Sequence, residues 1–246
     1  MTDHYMKLSY WNVSKNIYYS ILFIIPMLFL YEIMCWYQFI NLDFQIRNGA
    51  DAFLRQLFLN TGQHAEIVYA LSLLVIFIII IVLNKNIIIT GNLKINYLLW
   101  MFFESFIWSV IFILLMKSYA LNILSIFSQN ILPSQIYLAI GAGIWEEFLF
   151  RVIILGVSIN FMKYILGFNY LFSAFISIAI SGIIFSLFHY IGQLGDIFTF
   201  RVFSFRAFAG IILGTLYLMR GFGITVYTHI FYDIAIITQP QIININ

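Results

Sequence analysis

Between Ile67 and Leu83 there is no Asp, Glu, Lys or Arg, and several other stretches of similar length are almost as free of charge. Crossing about 30 Å of hydrocarbon takes roughly 20 apolar residues in a helix, because every backbone polar group must be satisfied within the segment. Six or seven windows meet that need: Ile17 to Ile40, Ile67 to Leu83, Tyr97 to Met116, Ser134 to Met162, Tyr170 to Tyr190, Ala207 to Met219 and Phe222 to Ile237. The last two are short for full spans. Only 9% of the residues are charged, against about 25% in soluble domains. The pattern predicts an all-α polytopic transmembrane bundle of about seven spans, built as a single membrane domain over residues 1–246.

The remaining segments are brief. Asn48 to Asn60 places Ala52, Phe53, Leu57 and Phe58 on one side and Asp51, Arg55 and Gln56 toward another, which reads as an interfacial helix. Lys7 and Lys15 precede an apolar run too long for a signal peptide, so the first span is expected to remain uncleaved. With the N-terminus inside, the basic residues other than Arg151 divide six against five between the two sides, which leaves orientation open. Cys35, the single cysteine, reads as a small hydrophobe. No basic block can track phosphates, so nucleic acid is excluded as a partner. Gly210 and Gly214 allow close approach of another helix, expected within this chain, with homo-oligomerisation as the other use of such a face.

Charges inside the apolar windows carry the functional signal. An Asp, Lys or Arg at a helix centre costs roughly 2.5 to 3.5 kcal/mol on translocon scales, so a chain this poor in charge keeps intramembrane ones for a reason. Glu146, Glu147 and Arg151 fall in the fourth window, His189 ends the fifth, and His229 and Asp233 share the last. Glu147 and Arg151 are four residues apart on one helix face and can neutralise each other. Glu146 points about 100° away around the helix, less readily paired, as suits a general base. Glu146 and His189 lie at similar distances from the turn near Lys163 to Asn169, and therefore at similar depth. His229 and Asp233 also share a face, but Asp233 lies only about 16 Å past the turn at Gly221 to Gly223 at helical rise. The levels match only if that turn is sunk into the protein or the helix is tilted.

Other polar residues have plainer readings. Glu32 and Glu104 show no partner at helical spacing and are expected to be structural hydrogen-bonding residues. His64-Ala65-Glu66 has the H-x-E of zinc deaminases without the C-x-x-C that must follow. Asp196, Arg201 and Arg206, with Gly192 and Gly195 beside them, read as a loop between the fifth and sixth windows, either ordinary and solvated or a gate over the site.

Taken together, Glu146-Glu147-xxx-Arg151, Phe185-xxx-His189 and His229-xxx-Asp233 resemble, in order and on separate helices, the three motifs of the CAAX-protease and bacteriocin-processing (Abi) family of intramembrane glutamic endopeptidases. The resemblance covers residues 134–237, which would be the catalytic core. It implies that Glu146 and His189 hold and activate a water, with Glu146 as general base, that Glu147 and Arg151 fix the helix, and that His229 and Asp233 stabilise the oxyanion. The commoner form of the family has Asn at the last position. An ionised Asp cannot donate to an oxyanion, so Asp233 either is protonated or acts by orienting His229.

The implied activity is hydrolysis of a peptide bond in a membrane-associated peptide or protein, without a cofactor, in a lipid bilayer. Two Glu and two His could instead bind zinc through N and O ligands. A rival from another class is a non-catalytic immunity protein or a proton-coupled carrier that uses the same groups as a relay. The inverted repeats common in carriers are not apparent. Richness in Ile, Asn, Phe and Tyr, with the small size, points to a bacterial source with an AT-rich genome, and hence for a multi-pass chain to a bacterial cytoplasmic membrane.

Overall fold

The computed structural model describes residues 9–42, 46–83, 94–120, 133–192 and 195–238, and all regular structure among them is helical. A short α1 (Tyr10–Ser14) leads into α2 (Ile17–Leu42). Then come α3 (Gly49–Gln56), a 3-10 turn over Leu59–His64, α4 (Ala65–Leu83) and α5 (Ile95–Ala120). Helix α6 runs over residues 133–164 and is followed by α7 (Tyr170–Phe188), α8 (Phe200–Arg220) and α9 (Phe222–Thr238). Among the described residues, five helices are long and apolar enough to cross a membrane, namely Ile17–Ile40, Thr61–Ile80, Ile95–Lys117, Tyr170–Phe188 and Phe200–Arg220. Helix α6 and the shorter apolar α9 complete the bundle.

Two sequence expectations change here. Helix α8 is longer than the Ala207 to Met219 window because Thr199 caps it, its hydroxyl accepting from the Val202 amide. Arg201 and Arg206 therefore lie on the helix and only Asp196 lies in the connection. The structure also turns α3 the opposite way from an ordinary amphipathic surface helix. Asp51 is fully buried while Phe53 and Leu57 are exposed. Asp51 can point inward because Arg47 and Arg55 each reach it at 2.8 Å, and Tyr31 and Tyr69 donate to it.

Helix α9 is the centre of the molecule: residues 222–230 are all buried, and it packs on α2, α5, α6 and α8. The turn before it is sunk. Gly221, at φ 85°, makes a backbone turn that side chains disfavour, and a Cβ there would fall 2.8 Å from the Lys15 carbonyl oxygen. Arg220 beside it reaches Ser14 and the ring of Trp11, and pairs with Glu104 of α5. This burial brings the two polar residues of a short helix to the depth of the α6 glutamates.

Helix α7 packs between α6 and α8 through small residues. Ser177 and Ser181 donate to Ser158 and to the Phe150 carbonyl, and Gly182 meets Gly210 so closely that a Cβ on Gly210 would sit 2.7 Å from the Gly182 Cα. Such close backbones and interhelical hydroxyl bonds replace the hydrophobic driving force that lipid does not supply. The Gly210 and Gly214 face is thus turned to α6 and α7 of the same chain.

Candidate active site

Helix α6 opens into wider π turns over Ala142–Glu146 and Phe148–Leu155, with Glu147 between them. π turns free backbone groups and re-aim side chains, and are frequent at functional sites. Here Ser181 of α7 takes up one carbonyl, Phe150 O, at 2.8 Å. Gly143 lets α9 touch the α6 backbone: a Cβ there would meet Ile230 Cγ1 at 2.4 Å and the Val226 carbonyl oxygen at 2.9 Å. The contact brings Glu147 of α6 against His229.

Glu147 is fully buried and bridges two cations or donors. Its Oε2 lies 3.0 Å from Arg151 Nε, and its Oε1 lies 2.8 Å from His229 Nδ1. The predicted Glu147 and Arg151 pair is present, but the same carboxylate also holds an imidazole from a helix 82 positions further on. Since a carboxylate only accepts, His229 carries its proton on Nδ1. Its Nε2 turns toward Asp233, 3.5 Å from Oδ2.

Arg151 is fully buried, and its two terminal nitrogens find no hydrogen-bond acceptor among the described residues. Its guanidinium lies 4.9 Å from the centre of the Phe185 ring instead, a cation held on an aromatic face. Phe185 does a second thing. Its carbonyl accepts from His189 Nδ1 at 2.9 Å, so His189, at the C-terminal cap of α7, has Nε2 as the ring nitrogen without a partner among the described residues.

Glu146, His189, His229 and Asp233 all line one cavity of about 220 Å³, walled by Phe112, Phe185, Phe205, Leu213 and Ile236 among others. Arg206 closes one edge, paired with Asp196 and lying against Tyr190. The structure thus brings the four residues singled out from the sequence to one place. It also supplies one that the sequence reading missed. Asn48, just ahead of α3, donates from Nδ2 to Glu146 Oε1 at 2.9 Å. An Asn before a helix is an ordinary cap signal, and nothing in it marks a partner 98 positions away.

The surroundings of Asn48 are held by charge. Arg47 bonds Glu32 at 3.0 Å and Asp51, and Arg55 bonds Asp51, Glu32 at 3.2 Å, and Glu66. Burial works to lower the pKa of Arg47, but its bonds to Glu32 and Asp51 outweigh that and raise it above its ordinary value. Glu32 is therefore an ion-pair member, and so is Glu104 with Arg220, each with partners distant in the chain.

Residues 128–235 match the family model for type II CAAX prenyl endopeptidase, Rce1-like. All three buried-charge motifs fall inside the matched segment. Residues 128–235 form a CAAX-protease domain. No curated protein and no solved structure matches the chain. A CAAX-protease domain in a bundle of apolar helices makes the chain an integral membrane protein and, in general terms, an intramembrane peptide hydrolase. Asn48, the Arg47 and Arg55 network and helices α1 to α5 all precede the CAAX-protease segment.

Proposed function

We propose that this chain is a glutamic intramembrane endopeptidase that cuts a membrane-associated peptide or protein with a water activated between Glu146 and His189. The observation that carries the reading is the single cavity lined by Glu146, His189, His229 and Asp233. Glu146 Oε1 is engaged by Asn48, which leaves Oε2 for a water, and His189 Nε2 is free to orient that water.

In the reaction, Glu146 takes a proton from water as the oxygen attacks the peptide carbonyl carbon. The resulting oxyanion needs a donor aimed at it, and His229 in its imidazolium form offers Nε2–H while Nδ1–H stays on Glu147. Two flanking carboxylates, Glu147 and Asp233, suit that form. Asp233 orients His229 and balances its charge, in place of donating itself. Glu146 then returns its proton to the departing amine, so water and one peptide bond become a carboxylic acid and an amine.

Zinc fits the site poorly. Among the described residues no three His, Cys, Asp or Glu side chains converge as a metal ion needs. We place the protein in a bacterial cytoplasmic membrane, with lipid and the peptide substrate as its partners.

The test compares membrane-associated peptides and protein termini, by mass spectrometry, in cells carrying wild type or Glu146→Gln. We expect at least one terminus that appears with wild type only, while the variant accumulates to normal levels and keeps its melting temperature. Strong chelators should leave cleavage by wild-type membranes unchanged. Undiminished cleavage by the variant would sink the mechanism, and pH-dependent transport without new termini would point to the relay function instead.

A further inference from the structure

We propose that Asn48 is a positioning residue for Glu146, so that the active site is completed by the N-terminal half of the chain, outside the CAAX-protease segment. The inference rests on Glu146 acting as the base.

Asn48 is buried, and its side chain does two separate jobs. Oδ1 accepts from the Ala50 amide at 2.9 Å and caps α3, while Nδ2 donates to Glu146 Oε1 at 2.9 Å. The amide cannot be turned the other way round, because an amide N–H only donates and a carboxylate only accepts. Its backbone is held as well: Asn48 N donates to Tyr31 Oη at 3.1 Å, and Tyr31 donates to Asp51 at 3.0 Å. Asp51 is in turn gripped by Arg47 and Arg55. The same helix reaches the other water-holding group, since Phe53 packs edge-on against Phe188, next to His189, with ring centres 5.7 Å apart.

Asn48 does not line the cavity; it stands behind Glu146. A carboxylate free to rotate about its last bond sweeps its lone pairs through many directions. A general base must hold one of them within hydrogen-bond reach of the proton it takes. Asn48 fixes one oxygen, and the other is thereby aimed. The charged network around Asp51 is the rigid mount for that one hydrogen bond.

The two jobs can be separated by substitution. Asn48→Ser and Asn48→Asp both keep an oxygen that caps α3, since Ser and Asp are good N-caps, and both remove the amide N–H that Glu146 Oε1 accepts from. Kinetics would be measured with a quenched fluorogenic peptide spanning the bond that wild type cuts, alongside melting temperature in detergent. We expect kcat to fall about 10- to 100-fold in Asn48→Ser, as for a misplaced catalytic group, with KM and melting temperature unchanged. Asn48→Asp should fall further, because two buried carboxyl groups so close share a proton and Glu146 is no longer free to act as a base.

If Asn48 only caps α3, both variants turn over like wild type and only Asn48→Ala loses stability; that result overturns the proposal. A KM rise with kcat unchanged in Asn48→Ser overturns it too. Glu146→Gln run in parallel separates the two failures. An active Glu146→Gln removes the base and the Asn48 role with it, whereas an inactive Glu146→Gln beside fully active Asn48 variants removes the Asn48 role alone.

Discussion

His229 has a carboxylate on each side, Glu147 at 2.8 Å and Asp233 at 3.5 Å, and the two are not equivalent. Glu147 is fully buried and also neutralises Arg151, so it is part of the scaffold. Asp233 opens onto the cavity, where the proposed mechanism forms the substrate oxyanion. If Asp233 serves by supporting the donor at this position, Asp233→Asn, which brings its own N–H, should keep turnover within about tenfold of wild type. Asp233→Leu should lose what a missing oxyanion donor costs, about 2.7 to 4 kcal/mol of transition-state stabilisation or roughly 100- to 1,000-fold in kcat. An Asn variant as inactive as the Leu variant would show that the carboxylate itself is indispensable. Phe185 also matters at this scale, because one residue shields the Arg151 cation with its ring and sets the His189 tautomer with its carbonyl.

At the scale of elements, α6 sets the geometry. Its π turns carry Glu146 and Glu147 to two partners on different sides, Asn48 before α3 and His229 on α9. The close seat on α9 at Gly143 makes that possible. Gly143→Ala would drive a methyl into Ile230, which can move, and into the Val226 carbonyl oxygen, which cannot without shifting α9. Overpacking of this kind costs about 1 to 3 kcal/mol, and here it also pulls His229 from Glu147. The expected result is a lower melting temperature in detergent together with reduced turnover. Gly156→Ala is the contrast, since its Cβ meets only the Arg151 carbonyl oxygen at 3.9 Å, and it should be neutral or slightly stabilising. Equal stability of the two variants would show that the seat on α9 is not tight.

For the whole molecule, the ion pair between Arg220 and Glu104 ties separate helices together outside the cavity lining. Arg220 ends α8, pairs with Glu104 of α5, donates to Ser14 and lies 3.9 Å from the centre of the Trp11 ring, while Tyr10 also donates to Glu104. These contacts gather α1, α5 and α8 over the sunken turn that starts α9. Removing one member of a buried pair leaves the other charge unpaired, at about 3 to 5 kcal/mol. Arg220→Met should therefore lower the melting temperature sharply, and adding Glu104→Gln should restore part of it. A single variant as stable as wild type would show that water already reaches Glu104. Because the turn sets the level of His229, loss of stability here should carry loss of activity with it.

Much of this protein follows from local properties of the chain. Long charge-free stretches dictate membrane helices, since a backbone in hydrocarbon must satisfy itself, and a spacing of four residues places Glu147 with Arg151 and His229 with Asp233 before any folding. The sequence also marks Glu32 and Glu104, in apolar segments, as structural hydrogen-bonding residues. It does not show with what they pair, because Arg47, Arg55 and Arg220 become their neighbours only when separate helices meet. The inward turn of α3, the sunken turn at Gly221, the Glu147 to His229 bond and the Asn48 to Glu146 bond were likewise decided by tertiary structure alone. Hydropathy and periodicity are sums over neighbours in sequence, whereas a hydrogen bond about 3 Å long between residues far apart in the chain depends on the packing of every helix between them.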